Sequence, residues 1–150
     1  ERRRFAQVSH EYLIEQVQKQ SATANTSTKL NFNHPCKEII WTSAVTNTYT
    51  NAKLDLTATS VTTLYTCAAS TTAIVKSIVV SEDSGNADTI TLTLTNGSDV
   101  YSLFKTKSVS ANGTVELLTA PLVVQATEIL KVTAATANRL HVVASILEIT

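Results

Sequence analysis

The sequence predicts an all-β protein: an antiparallel β-sandwich of jelly-roll-like type, preceded by an extended or partly helical N-terminal arm. Three observations predict it. Threonine is abundant while glycine (3) and proline (2) are scarce in the 150 residues, and β-branched side chains stiffen the backbone towards extended geometry. Apolar residues recur in short runs with period two, most clearly in Asp88 to Thr95, DTITLTLT, where Ile90, Leu92 and Leu94 alternate with threonines. Turn signals separate these runs at the even spacing of a sandwich or small barrel.

Taken in order, residues 1–45 form an arm or connector and residues 46–150 the sandwich domain. The arm is richer in Arg, Gln, Glu and Lys and contains the polar tract SATANTSTK, which reads as an exposed connector. Within SHEYLIEQVQKQ, Leu13, Ile14 and Val17 follow helical spacing and Ser9 is placed to cap a helix, although HEYLI also suits a strand. The strand candidates are EIIWTS (38–43), VTTLYTC (61–67), AIVKSIVVS (73–81), DTITLTLT (88–95), SDVYSLFK (98–105), LVVQ (122–125), EILKVTA (128–134) and RLHVVASILEI (139–149). Asn96 and Gly97 supply the positive backbone angles of a tight hairpin turn after DTITLTLT. A second pair, Asn112 and Gly113, is expected to join KTKSVSA to TVELLTA as another hairpin. Pro121 stands where proline is tolerated, at a strand's start.

Charged residues make up 16% of the chain and the formal net charge is zero, so no global field gathers nucleic acid or an anionic membrane. No apolar run approaches the ~20 residues of a membrane span. Two cysteines, Cys36 and Cys67, are too few for a disulfide framework; a single bridge between them is one reading, and two small buried thiols in a soluble protein from a reducing compartment is the favoured one.

Three places collect reactive letters. LNFNHPCKEIIW (30–41) puts His34, Cys36 and Glu38 beside the only tryptophan, Trp41, yet a zinc site wants a second Cys or His pair, and no spacing provides Cys36 or Cys67 with a base. SEDSGNAD (81–88) gathers Glu82, Asp83, Asn86 and Asp88 without the spacing of a calcium loop and reads as a solvated acidic turn. The histidines His10, His34 and His141 read as structural. Asn25, Asn96 and Asn112 stand in N-x-S/T sequons, and Arg2 to Arg4 read as a solvated tail. With no phosphate loop, nucleophile elbow or ligand set, the reading is not an enzyme, with no cofactor and no metal.

Two stretches carry a resemblance. FAQVSHEYLIEQVQ (5–18) followed by KLNFNHPCKEIIW (29–41) resembles the junction between the two jelly rolls in major capsid proteins of nucleocytoplasmic large DNA viruses. That resemblance covers about the first 42 residues and implies that His34, Pro35, Lys37, Glu38 and Trp41 serve as a strand-entry element. Residues 47–150 are similar instead to small β modules of tailed-phage virions, of the decoration, neck or tail class. Both likenesses imply a non-enzymatic virion structural protein, a minor capsid or capsid-decoration component. The implied partners are other capsid or virion proteins and further copies of itself, with no membrane and no specific nucleic acid. Phe5, Tyr12, Leu13, Ile14, Phe32, His34 and Trp41 form the candidate capsid-contact segment. The alternative is a tail- or vertex-associated fibre or a receptor- or glycan-binding module, for which Tyr49, Tyr65 and Tyr101 are candidates, the latter two also suiting core positions.

Overall fold

The computed structural model describes residues 16–21, 29–31, 35–40, 42 and 46–150. The chain divides into two units, Glu1–Thr42 and Ser43–Thr150.

In the first unit none of the described residues is helical or in a strand. The helix expected over SHEYLIEQVQKQ is therefore absent at 16–20, and its earlier part lies outside the described residues. The Gln20 side chain bridges two points of backbone: its Nε2 donates to the Lys29 carbonyl (2.8 Å), and its Oε1 accepts from the Asn31 amide (2.9 Å). The strand expected over EIIWTS does not form at 38–40 or 42. Ile39 and Ile40 are exposed, Ile40 at 82%; without a paired neighbour strand the period-two pattern there has no face to bury.

The described residues of the second unit hold nine strands: β1 (Asn47–Asp55), β2 (Thr62–Thr66), β3 (Thr72–Glu82), β4 (Asp88–Asn96), β5 (Asp99–Val109), β6 (Thr114–Glu116), β7 (Leu122–Val124), β8 (Ile129–Ala134) and β9 (Leu140–Ile149). One sheet runs β1-β9-β3, with β6 and β7 both on the far edge of β3; the other runs β2-β8-β4-β5. All pairs are antiparallel. The pairing nests: β1 with β9, β2 with β8, β3 with β6 and β7, and β4 with β5. The chain is thus one long hairpin rolled over itself, with β3–β9 and β4–β8 joining the roll, which is the jelly-roll form of the two-sheet sandwich.

The tip of that hairpin is the β4–β5 turn. Asn96 pairs with Asp99, so the two turn residues are Gly97 and Ser98, one position later than Asn96–Gly97. Only Gly97 has positive φ (+60°), as a turn with glycine at its first central position requires. A Cβ at Gly97 meets no neighbour within 4 Å, so Gly97→Ala carries only the backbone penalty. The expected loss is about 1–2 kcal/mol in chemical denaturation, with Gly97→Asn losing less.

The second expected hairpin is corrected. Asn112 and Gly113 do turn the chain, with the Gly113 amide donating to the Ser110 carbonyl at 2.9 Å, but β6 leaves β5 and pairs with β3 in the opposite sheet. The switch buries Leu117 (2% exposed) and packs Val115 against the core.

β1 carried the weakest sequence signal. Its inward residues are Thr50, Ala52 and Leu54, and neither threonine nor alanine marks a core face by hydropathy. In β3 the register shifts between Val75 and Ser77, leaving Lys76 as the extra residue of a bulge. The bulge changes the phase, so Ala73 and Val75 point inward before it and Ile78 and Val80 after it. The core lies between the sheets, built on Ile78, Ile90, Leu92, Leu130, Leu140 and Ile146 among others. On β4, Thr89, Thr91 and Thr93 line the outer face as expected, but Thr95 is buried (5%), with Ile129 and Val100 as cross-strand neighbours. Its hydroxyl has no hydrogen-bond partner.

Candidate interaction surface

All seven residues of the candidate contact segment, Phe5, Tyr12, Leu13, Ile14, Phe32, His34 and Trp41, lie outside the described residues, as do His10, Asn25 and the Arg2 to Arg4 run. Of the LNFNHPCKEIIW stretch, Cys36 is described and exposed, its Sγ 3.0 Å from the Glu38 carbonyl. That corrects the expectation of two buried thiols: residues 35–40 enter no sheet that would cover Cys36. Cys67 is buried, and its thiol donates to the Thr71 carbonyl at 3.3 Å. Among the described residues no group of three or more His, Cys, Asp or Glu side chains is placed to hold a metal ion. None of them forms a helix long and apolar enough to cross a membrane.

The acidic turn is not simply solvated. Glu82, at the end of β3, is 3% exposed. Its carboxylate accepts the amides of Ser84 (2.7 Å), Asn112 (2.7 Å), Gly85 (3.2 Å) and Asn86 (3.3 Å), and the Ser84 hydroxyl as well. Burial by itself would raise its pKa, but these donors outweigh burial and hold it down to about 2. The group ties the β3–β4 loop to the turn at 110–113. Asp88 is also buried and accepts from the Thr89 (2.8 Å) and Thr136 (3.0 Å) amides. The cluster reads as solvated from sequence because local amides wrap Glu82 only once the loop is folded, and the Asn112 and Thr136 amides arrive from elsewhere in the chain.

A second carboxylate works alike. Burial pushes Glu116 up, and bonds from the Ser77 hydroxyl (2.5 Å) and the Ile78 amide (2.7 Å) more than reverse it, so its pKa is lowered. Tyr65 closes one side of the sandwich by donating to Glu148 at 2.7 Å. Its phenol is raised well above the ordinary tyrosine value, first by burial and then by that bond. His141 stands between Asp55 (3.5 Å) and Asp83 (3.4 Å), one on each ring nitrogen, and is a structural bridge.

What remains exposed on the jelly roll is a graded surface. The outer face of the β1-β9-β3 sheet is laid out in rows by the strand register. One row is apolar: Tyr49, Leu147, Ile74 and Val123 lie side by side across β1, β9, β3 and β7. Tyr49 is 74% exposed and Val123 51%. The row Asp55, His141, Ser81 and Thr114 towards the other end is polar. The outer face of the opposite sheet is hydroxyl-rich, with Thr63, Lys131, Thr93 and Ser102 in register. Tyr101, read as also suiting the core, is 55% exposed near the turn end of the edge strand β5, opposite the partly buried Leu94. Tyr49 and Tyr101 belong to different sheets and form no convergent aromatic site.

The sheet edges differ. β5 carries both register shifts and the exposed Lys105 and Lys107; β2 is five residues with a shift; β6 and β7 are three residues each. β1 is nine residues with an unbroken register and no proline.

Residues 1–102 match the family described as large eukaryotic DNA virus major capsid protein. The chain belongs to that family. The match runs well past residue 42, where the likeness read from sequence ends, and extends into β5. The major capsid protein of Pyramimonas orientalis virus is 54% identical over 65 residues, covering 37% of this chain and 16% of that protein. Capsid protein 1 of Acanthamoeba polyphaga mimivirus is 60% identical over 52 residues, covering 31% and 9% respectively. The major capsid protein of Paramecium bursaria Chlorella virus 1 is 50% identical over 50 residues, covering 27% and 11%. The chain spans less than a fifth of the length of each of these relatives. Members of a capsid protein family are structural components of the virion, so the expected class, a virion structural protein and not an enzyme, agrees with the family.

Proposed function

We propose that this member of the capsid protein family acts as a minor or decorating capsid component that binds neighbouring capsid subunits. In this reading residues 1–45 are the docking arm and 46–150 the body. The observation that carries it is the jelly roll itself, which closes within 46–150. Thr46 and Thr150 exchange backbone hydrogen bonds (3.3 and 3.1 Å), and a buried core lies between the two sheets, which supports a body that folds as a module. The apolar row of Tyr49, Leu147, Ile74 and Val123 gives that body a face for protein contact. An arm that orders on docking loses entropy but spans a large contact area.

The test is co-expression with a major capsid protein of this family, followed by sedimentation of assembled particles. Deleting residues 1–45 is expected to abolish incorporation while circular dichroism of the remaining chain stays that of a folded β protein. Particles that retain the truncated chain at the full-length level would overturn the arm's role.

A further inference from the structure

We infer that the free edge of β1 pairs antiparallel with β1 of a second copy, about a two-fold axis through Asn51, joining two jelly rolls through one continuous sheet. This rests on the capsid-component reading and names one partner of that body, another copy of the chain.

The backbone fixes which groups are available. The Thr46 and Leu56 amides donate to β9, at Thr150 (3.3 Å) and Leu140 (3.0 Å). Antiparallel residues alternate in direction, so the even-numbered residues of β1 face β9 and Asn47, Tyr49, Asn51, Lys53 and Asp55 turn their amides outward. Among the described residues, none pairs with that outward row; only the Asp55 carbonyl is occupied, by the Thr57 amide at 3.1 Å. A long regular edge with open donors and acceptors is a template for another strand. The other edges of this sandwich are short or interrupted by register shifts, and β5 carries two exposed lysines to the one, Lys53, on β1, which leaves β1 as the long unbroken edge.

The sequence of β1 then selects the occupant and the register. With Asn51 on the axis, the whole of Asn47–Asp55 pairs with itself: Asn47 opposite Asp55, Tyr49 opposite Lys53, and Asn51 opposite Asn51. Every outward-facing residue meets another outward-facing residue, as antiparallel hydrogen-bonded pairing requires. No like charges are opposed, since Lys53 lies against an aromatic ring and Asp55 against an amide. The contact is isologous, so it closes as a dimer and does not propagate.

The experiment is sedimentation equilibrium on the full chain, with variants at this edge. The wild type is expected to form a reversible dimer. Asn51→Pro removes the central outward donor while costing β1–β9 no bond, since edge strands tolerate proline on that side, and is expected to weaken the dimer at least ~tenfold. Tyr49→Lys sets lysine against Lys53 and is expected to weaken it similarly, whereas Tyr49→Glu sets a carboxylate there and should leave it within ~threefold of wild type. Asn51→Cys in a Cys36→Ser background should oxidise to a covalent dimer, because the Cα atoms of a hydrogen-bonded pair lie ~5.5 Å apart, within disulfide reach. Circular dichroism on each variant separates loss of pairing from loss of fold. A monomeric wild type, a dimer indifferent to both Asn51→Pro and Tyr49→Lys, or no covalent dimer from Asn51→Cys would overturn the pairing. Because these readings are made on the isolated chain, they leave the particle-incorporation result standing on its own.

Discussion

Replacing Leu92 by alanine is expected to lower the unfolding free energy by about 2–5 kcal/mol, read as a fall in the urea midpoint with an unchanged denaturant slope. Leu92 is 0% exposed in the middle of β4, where its cross-strand neighbours are Val132 on β8 and Phe104 on β5. Truncation removes transfer free energy and leaves a cavity that two paired strands cannot collapse into. Leu147→Ala is the comparison: a leucine only half-buried on the outer face, it should cost clearly less. Equal losses at the two sites would mean that the inner and outer faces are misassigned.

The second large effect is at Glu82. Glu82→Gln is expected to lower the melting temperature near neutral pH and to flatten its acid dependence. Four backbone amides and a hydroxyl all donate to this carboxylate, and an amide side chain would present its own donors to some of them. In the folded protein the pKa is about 2 against an ordinary 4.5, so folding favours the ionised form. The stabilisation is fully present above about pH 4.5 and is lost as pH falls towards 2. The gap between wild type and Glu82→Gln should therefore narrow across that window. Glu116, also lowered, gives the wild type and the variant a shared residual acid dependence. A gap that stays constant from pH 6 to pH 2 would show that the charge on Glu82 is not what the fold uses.

The all-β class and most strands could be read from period-two alternation, because burying one face of a sheet writes itself into successive residues. DTITLTLT, AIVKSIVVS and RLHVVASILEI all became strands. The failures have physical reasons. β1 was missed because Thr50 and Ala52 fill its inner face with residues that carry no hydropathy signal. EIIWTS has the composition of a strand, but composition supplies no partner, and residues 38–40 have none. The Asn112–Gly113 pair signals a turn truthfully, yet a turn does not say which sheet receives the chain afterwards. The burial of Glu82 was invisible because its nearest donors include Asn112, thirty residues on. For the interaction surface, sequence supplied Tyr49, Tyr65 and Tyr101 as candidates, besides the N-terminal contact residues that lie outside the described ones. The apolar row and the open edge of β1 exist only once four strands are in register.

The backbone exchange between Thr46 and Thr150 has an evolutionary reach. Entry and exit points of the jelly roll lie a single strand spacing apart, about 4.8 Å, so the unit can be spliced into a surface loop of another protein without stretching either side of the graft. A body with adjoining ends is a transferable cassette.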